Sequence, residues 1–406
     1  MQVVAAADME MNVDFAKRLV QWFCLNRRNL PWRENRDPYR VWVSEIMLQQ
    51  TRVEAVIPYY LRFMEVCGTV EALAACPEEK LLKLWEGLGY YSRARNLQAA
   101  ARVICEEYGG KIPDSFEQLE KLPGIGEYTA GAVSSIAFGQ PRSAVDGNVL
   151  RIWARLKADS RDMADAKVRS GIREEIERLL AAPCEGSTSV IPPGEFNQAL
   201  MDLGACVCLP NGSPHCGRCP VSDWCEAHRI GREAEFPVRR KKAARRVQHL
   251  TVFLIRDGEL VAVNRRPEHG LLARMYEFPN AEGRLTEEEA LDFVRDAGFV
   301  PLHIRPLQDA KHIFTHIEWD MTGYEIRTSS FENDGSQKYI FAQEAHLREQ
   351  YPIPSAFAAY LRTFYESIPA GETGRGIKNS PAGEPEKTIP ARGRKTRAAG
   401  KGEERV

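Results

Sequence analysis

Two carboxyl residues stand where their neighbours could make chemistry of them. The first is Asp146 in Val145-Asp146-Gly147-Asn148-Val149, twenty residues after Gly126 of Leu122-Pro123-Gly124-Ile125-Gly126-Glu127-Tyr128-Thr129-Ala130. The glycine stretch reads as a hairpin opening a helix. Backbone N–H groups freed by Gly124 and Gly126 at a helix N-terminus make an anion seat, and glycine lets a backbone approach a phosphate closely. Asp146 would then hold a carboxylate beside whatever that seat fixes. The second carboxyl is Glu45 in Val43-Ser44-Glu45-Ile46-Met47-Leu48-Gln49-Gln50-Thr51, where apolar surroundings on a helix raise a carboxyl pKa by desolvation. A carboxyl kept protonated can donate to a leaving group, while an ionised one stabilises developing positive charge. The bland readings are a solvated helical glutamate and an aspartate serving only as an N-cap.

Cysteines supply the next candidate site. Five of the ten fall within 206–225, whereas Cys24, Cys67, Cys76, Cys105 and Cys184 are scattered through apolar or helical stretches as small core or surface residues. Cys208, Cys216, Cys219 and Cys225 are separated by seven, two and five residues in a stretch rich in proline and glycine. Four thiolates gathered this tightly can close around one metal centre. Zinc and a 4Fe-4S cluster both accept such a set, Cys206 competes with Cys208 for the first position, and unligated thiols are the remaining alternative. The distribution favours a metal site in a reducing compartment over disulfides.

These residues need elements to hold them. Apolar residues three and four apart predict helices over 14–24, 39–50, 53–65, 90–108, 126–138, 148–156 and 194–206, so residues 1–232 read as an all-α domain with the cysteine loop at 206–225. Six basic residues without an acid between Arg239 and Arg246 mark a linker, 233–246. Beyond it, strand-like runs flank Asp257-Gly258 and recur at 318–327 and 338–342, with helices predicted at 286–297 and 354–366; 247–366 reads as an α+β domain. The tail 367–406, with nine basic and five acidic residues, reads as disordered: a solubilising tail, or one weakly attracted to DNA. At 406 residues with 55 Lys+Arg against 56 Asp+Glu, bulk charge neither demands nor excludes a nucleic-acid partner. With no basic leader and no apolar run of membrane length, a soluble, cytoplasmic protein without a membrane partner is expected.

The hairpin with its following aspartate resembles the helix-hairpin-helix glycosylases. Leu30-Pro31-Trp32-Arg33 and the Glu45 motif extend the likeness to the adenine DNA glycosylase (MutY) family over about 14–366. The resemblance implies an all-α catalytic domain with a 4Fe-4S loop, a Nudix-like α+β domain and base flipping from double-stranded DNA carrying adenine mispairs. It makes Glu45 the acid that protonates adenine N7 and Asp146 the stabiliser of the sugar cation, with Asn148 in support. It assigns the cluster to Cys208, Cys216, Cys219 and Cys225, one residue longer in the first gap than is usual. Related enzymes that cut the strand place a lysine where Tyr128 stands, so a monofunctional enzyme leaving an abasic site is implied, with Tyr128 buttressing the carboxylates. Arg28, Leu30, Trp32 and Gln198 are implied to line the adenine pocket. Gln50, Thr51, Leu88 and Tyr90 are implied to fill the vacated stack, Tyr90 as wedge.

In the second domain, Gly270 to Pro279 resembles the family's Nudix-like module, but Gly298-Phe299-Val300 stands where a working hydrolase needs its metal-binding acids. Recognition of 8-oxoguanine is the implied role, through Phe314, Thr315 and His316, with threonine in the family's usual serine position. A thymine-mismatch glycosylase, an endonuclease III-like lyase and a non-catalytic damage-binding module are the alternatives. A monomer is expected, with a sliding clamp or an abasic-site endonuclease as partners suited to such an enzyme.

Overall fold

The computed structural model describes residues 12–182, 191–238, 244–329 and 338–368. Cys184, residues 239–243 of the basic run and the tail from 369 onward lie outside them. The first part is helical: α1 (Val13–Asn26), α2 (Pro38–Leu48), α3 (Val53–Val66), α4 (Val70–Ala75), α5 (Glu78–Trp85), α6 (Ser92–Tyr108), α7 (Phe116–Glu120), α8 (Glu127–Phe138), α9 (Gly147–Leu156), α10 (Ala166–Ala181), α11 (Pro193–Cys206) and α12 (Glu226–Arg229). Side-chain caps start several of them. Asn12 accepts from the N–H groups of Asp14 and Phe15 before α1, and Asp37, Thr69, Ser115 and Asp165 serve α2, α4, α7 and α10 in the same way. The seven helices legible from apolar spacing are all present. Helix α10 is not among them because charged residues crowd it and only Ile172, Ile176, Leu179 and Leu180 are buried.

The helices form two cores. One, from α2 through α8, buries Trp42, Tyr60, Phe63 and Trp85. The other gathers α1, α9, α10 and α11 around Phe15, Trp153 and Phe196, with edge-on ring contacts at 6.3 and 6.4 Å. Glu45 sits on α2 in the first half and Asp146 at the start of α9 in the second. The two carboxyls are thus carried by different halves of the helical domain.

The second part holds β1 (Arg246–Asp257), β2 (Leu260–Arg265), β3 (Tyr276–Glu277), β4 (Asn280–Glu282), α13 (Glu287–Asp296), β5 (Pro301–Ile313), β6 (Ile317–Thr328), β7 (Ile340–Ala342), α14 (Glu344–Glu349) and α15 (Ala358–Glu366). The sheet runs β3-β2-β1-β6-β5, with β4 on β1 and β7 on β2. β1 and β6 pair in parallel from Arg246 opposite Ile317 to Arg256 opposite Arg327. Leu250, Val252, Phe357 and Tyr360 pack on one face of the sheet, while Phe253, Ile255, Ala290 and Val294 pack on the other. Strand β5, unforeseen from sequence, is an edge strand. Pro301, Pro306 and a register shift between Leu307 and Ala310 interrupt its pattern, which is how edges are kept from pairing further. The β5–β6 turn presents Phe314-Thr315-His316.

Candidate active site

Glu45 is only 5% exposed on α2. Tyr128, in the first turn of α8, donates its hydroxyl to Glu45 Oε2 at 2.6 Å. Burial pushes the Glu45 carboxyl up to about 7; the Tyr128 hydrogen bond and Arg33 oppose this, and Asp146 adds to it. Burial, with both carboxyls nearby, pushes the Tyr128 phenol well above its ordinary value, so Tyr128 stays a donor at neutral pH.

Asp146 is the N-cap of α9, accepting on Oδ1 from the N–H groups of Asn148 and Val149 at 2.8 and 2.9 Å and on Oδ2 from Asn148 Nδ2 at 2.7 Å. Burial raises its pKa, opposed by those donors and by Arg151. Asp146 thus caps α9 while lying close enough to Glu45 to raise that carboxyl's pKa. Asn148 Oδ1 in turn accepts from Arg151 at 2.9 Å, and Arg151 reaches the Gly204 and Cys208 carbonyls, each at 2.9 Å. A side chain at Gly204 would put Cβ 2.6 Å from Asn148 Cβ, so only glycine lets α11 approach there.

The hairpin between α7 and α8 turns at Gly124, whose φ is +75° and whose missing Cβ would lie 2.6 Å from Asn96 Cβ. Gly126 differs: its φ is −102°, open space surrounds it, and no side chain caps α8 there. The uncapped first N–H groups of α8 suit an external anion.

The residues expected to line an adenine pocket have separate surroundings. Arg28 is committed to Asp202, with Nε and Nη2 at 2.9 and 2.5 Å from Oδ1, and Arg33 reaches the same carboxylate at 2.8 Å. Burial would raise Asp202, but Arg33 and Arg28 outweigh it and hold the carboxyl below its usual range. Leu30 and Trp32 are buried, Trp32 edge-on to Tyr60 at 5.3 Å. Gln198 lies on α11 with Nε2 bonded to the Gly194 carbonyl at 3.2 Å.

At the mouth, Gln50 and Tyr90 hold left-handed backbone, φ +59° and +49°, a strained conformation typical of functional sites. Tyr90 is 47% exposed, whereas Leu88, expected with it to fill the vacated stack, is 6% exposed and belongs to the first helical core. Arg93, unmarked in the sequence, joins these parts. Its Nη1 donates to the carbonyls of Ile46, Met47 and Gln49 at 2.7 to 2.9 Å, and its Nη2 donates to those of Leu88 and Gly89 at 3.0 Å; Nη2 also reaches Thr51 Oγ1 at 3.4 Å. One guanidinium thus caps the end of the Glu45 helix and fixes the Tyr90 loop. Asp202 and Arg93 had no local signal, because a buried ion pair and a carbonyl-binding arginine depend on partners distant in sequence.

Across the cleft, Phe314 packs between His312 at 4.5 Å and Trp319 at 4.9 Å, leaving Thr315 and His316 exposed. Thr315 Oγ1 lies 3.0 Å from the Tyr90 hydroxyl, so both domains line this cleft.

Cys208, Cys216, Cys219 and Cys225 line one small cavity, while Cys206 is exposed and not part of its lining. Arg155 Nη1 points at Cys208 Sγ from 3.1 Å, a donor suited to a sulfur bearing negative charge. A four-sulfur donor set around one apolar space fits a metal centre ligated by four cysteines. Cys216, His228 and Glu233 also approach one another closely, but His228 and Glu233 are bonded together at 2.5 Å.

The helical domain thus brings together a glycine-turned helical hairpin, a buried acid and a capping aspartate. Residues 43–178 match the HhH-GPD superfamily base excision DNA repair protein model, and residues 251–363 match the NUDIX domain model. The chain is 34% identical to an adenine DNA glycosylase of Rattus norvegicus over 77% of its length and 70% of that protein's. It is 31% identical to another from Buchnera aphidicola over 75% and 83%. A thermostable thymine-DNA glycosylase structure is similar over 53% of this chain and 96% of that one, at 29% identity and a TM-score of 0.47. The chain belongs to the adenine DNA glycosylase family.

Proposed function

We propose that this enzyme removes adenine mispaired with 8-oxoguanine or guanine and leaves an abasic site. The observation carrying this is Glu45, buried, donated to by Tyr128 and poised near pH 7, in a chain of this family. A general acid works best with a pKa near the operating pH. With adenine flipped from the helix, Glu45 gives its proton to N7, the bond from N9 to C1′ breaks with its electrons leaving on the base, and the sugar becomes oxocarbenium-like. Asp146, held as acceptor by Asn148 and the α9 N-terminus, stabilises that charge until water adds to C1′ and gives up a proton to the carboxylate that Glu45 has become, restoring the acid. Tyr128 has no amine to form a Schiff base, so strand cleavage does not follow. The exposed Thr315 hydroxyl, between Phe314 and His316 opposite Tyr90, suits recognition of the orphaned 8-oxoguanine.

Cys208, Cys216, Cys219 and Cys225 would hold a 4Fe-4S cluster, which supplies a structural tie between α11 and the loop after it. The enzyme acts as a monomer where chromosomal DNA lies, and a sliding clamp or abasic-site endonuclease suits a protein whose product is an abasic site. The test is incubation with adenine-mismatch duplexes, with and without alkali: breakage only after alkali supports a monofunctional glycosylase. Borohydride trapping of a covalent complex would overturn it in favour of a lyase.

A further inference from the structure

The helix that leads into the Tyr90 loop also grips the second domain. On α5 and its C-cap, Glu78 pairs with Arg274 at 2.8 Å, Glu79 accepts from the Tyr276 hydroxyl at 3.1 Å, and Lys83 Nζ donates to the Leu347 carbonyl at 2.7 Å. Glu86 accepts from the Ile353 N–H at 2.8 Å and pairs with Lys83 at 2.6 Å. From the other side, Met275 is fully buried in the first helical core, and Leu272 packs on both that core and the core of the second domain. Leu272 and Arg274 hold left-handed backbone, φ +56° and +60°, and Arg95 secures the Ala273 carbonyl between them at 3.0 Å. Glu86 is followed within four residues by Tyr90, so one short segment bears both the latch and the wedge.

We infer that Lys83 and Glu86 are positioning residues for lesion recognition, fixing the second domain so that Thr315 faces Tyr90 at the orphaned base. This rests on the proposed role of the Thr315 loop. Neither residue touches the reacting atoms; both act by holding the 344–353 segment, Lys83 through the Leu347 and Tyr351 carbonyls and Glu86 through the Ile353 N–H, against the base of the Tyr90 loop. A loosened latch leaves the acid chemistry of Glu45 intact and blurs the distinction between guanine and 8-oxoguanine. That selectivity separates a positioning role from general support of the fold.

The experiment compares full-length wild type, Glu86→Gln and the double variant Lys83→Met/Glu86→Ala in single-turnover excision of adenine opposite 8-oxoguanine and opposite guanine. Small-angle scattering of each free protein accompanies the kinetics. The double variant should lose about tenfold or more of the rate ratio between the two duplexes, keep its rate opposite guanine within about twofold, and scatter as a more extended particle. Glu86→Gln retains the acceptor for the Ile353 N–H and should keep most of the ratio. An unchanged ratio with unchanged scattering, or an equal fall of both rates, overturns the inference. If wild type shows no preference for 8-oxoguanine, the reading of the Thr315 loop fails instead, and the scattering alone decides the latch: an extended double variant supports it, and a compact one overturns it.

Discussion

Glu45 and Asp146 are both buried carboxyls, yet their surroundings differ: one phenol donates to Glu45, whereas two backbone N–H groups and an amide donate to Asp146. Glu45 is raised to about 7 chiefly by burial, so its active, protonated form is lost as pH rises through that value. Single-turnover excision should fall on the alkaline side of about pH 7, and Glu45→Gln should lower the rate by about 10²–10⁴ while duplex binding persists. The Tyr128 hydroxyl lowers the Glu45 pKa, so in Tyr128→Phe the alkaline limb should move upward, as a pH–rate profile would read. The same shift bears on stability. Because the folded pKa lies above the unfolded one, Glu45 holds more protons folded than unfolded between about 4.5 and 7, and stability falls as pH rises through that window. Denaturant unfolding of Glu45→Gln should show that loss removed, on the order of 3 kcal/mol at pH 8. Asp146 divides cleanly by substitution: asparagine also caps helices, so Asp146→Asn should lose rate with little loss of stability, whereas alanine should cost about 1 kcal/mol as well. Both carboxyls were legible in the sequence because each sits in a local motif. Arg28 was legible only as a residue near the pocket; its commitment to Asp202 joins positions 174 apart.

Helix α2 carries Glu45, α8 carries Tyr128 and α9 begins at Asp146, and Arg93 on α6 ties the end of α2 to the Tyr90 loop. Five carbonyls depend on that one guanidinium. Arg93→Met should leave them without a charged donor and destabilise the fold by about 3 kcal/mol or more, as a shift of the denaturant midpoint. Arg93→Lys should recover little, because an ammonium cannot span the forked arrangement. Sequence periodicity found the helices that bury a broad apolar stripe. It missed α5, whose eight residues are too short to set a pattern and whose charged side chains serve the domain interface. It missed β5 for a related reason: an edge strand needs no continuous apolar face, and its prolines and charges read as loop.

At the scale of the molecule, two helical half-cores bring the carboxyls together, a cysteine-lined loop closes the second half, and the sheet domain offers Thr315 across the cleft from Tyr90. Cysteine crowding made the loop legible, whereas the cleft between the domains was not, since it is made by Met275 entering the helical core from a distant segment. If the four cysteines hold a structural cluster, Cys219→Ser should lower iron and sulfide content and the yield of folded protein together, measured on purified enzyme. The most direct test of the proposed activity is single-turnover base release from duplexes carrying adenine opposite 8-oxoguanine, guanine or thymine, with abasic sites revealed by alkali. Release of adenine, fastest opposite 8-oxoguanine and absent in Glu45→Gln, is the expected result; release of thymine, or adenine release that survives Glu45→Gln, would contradict it.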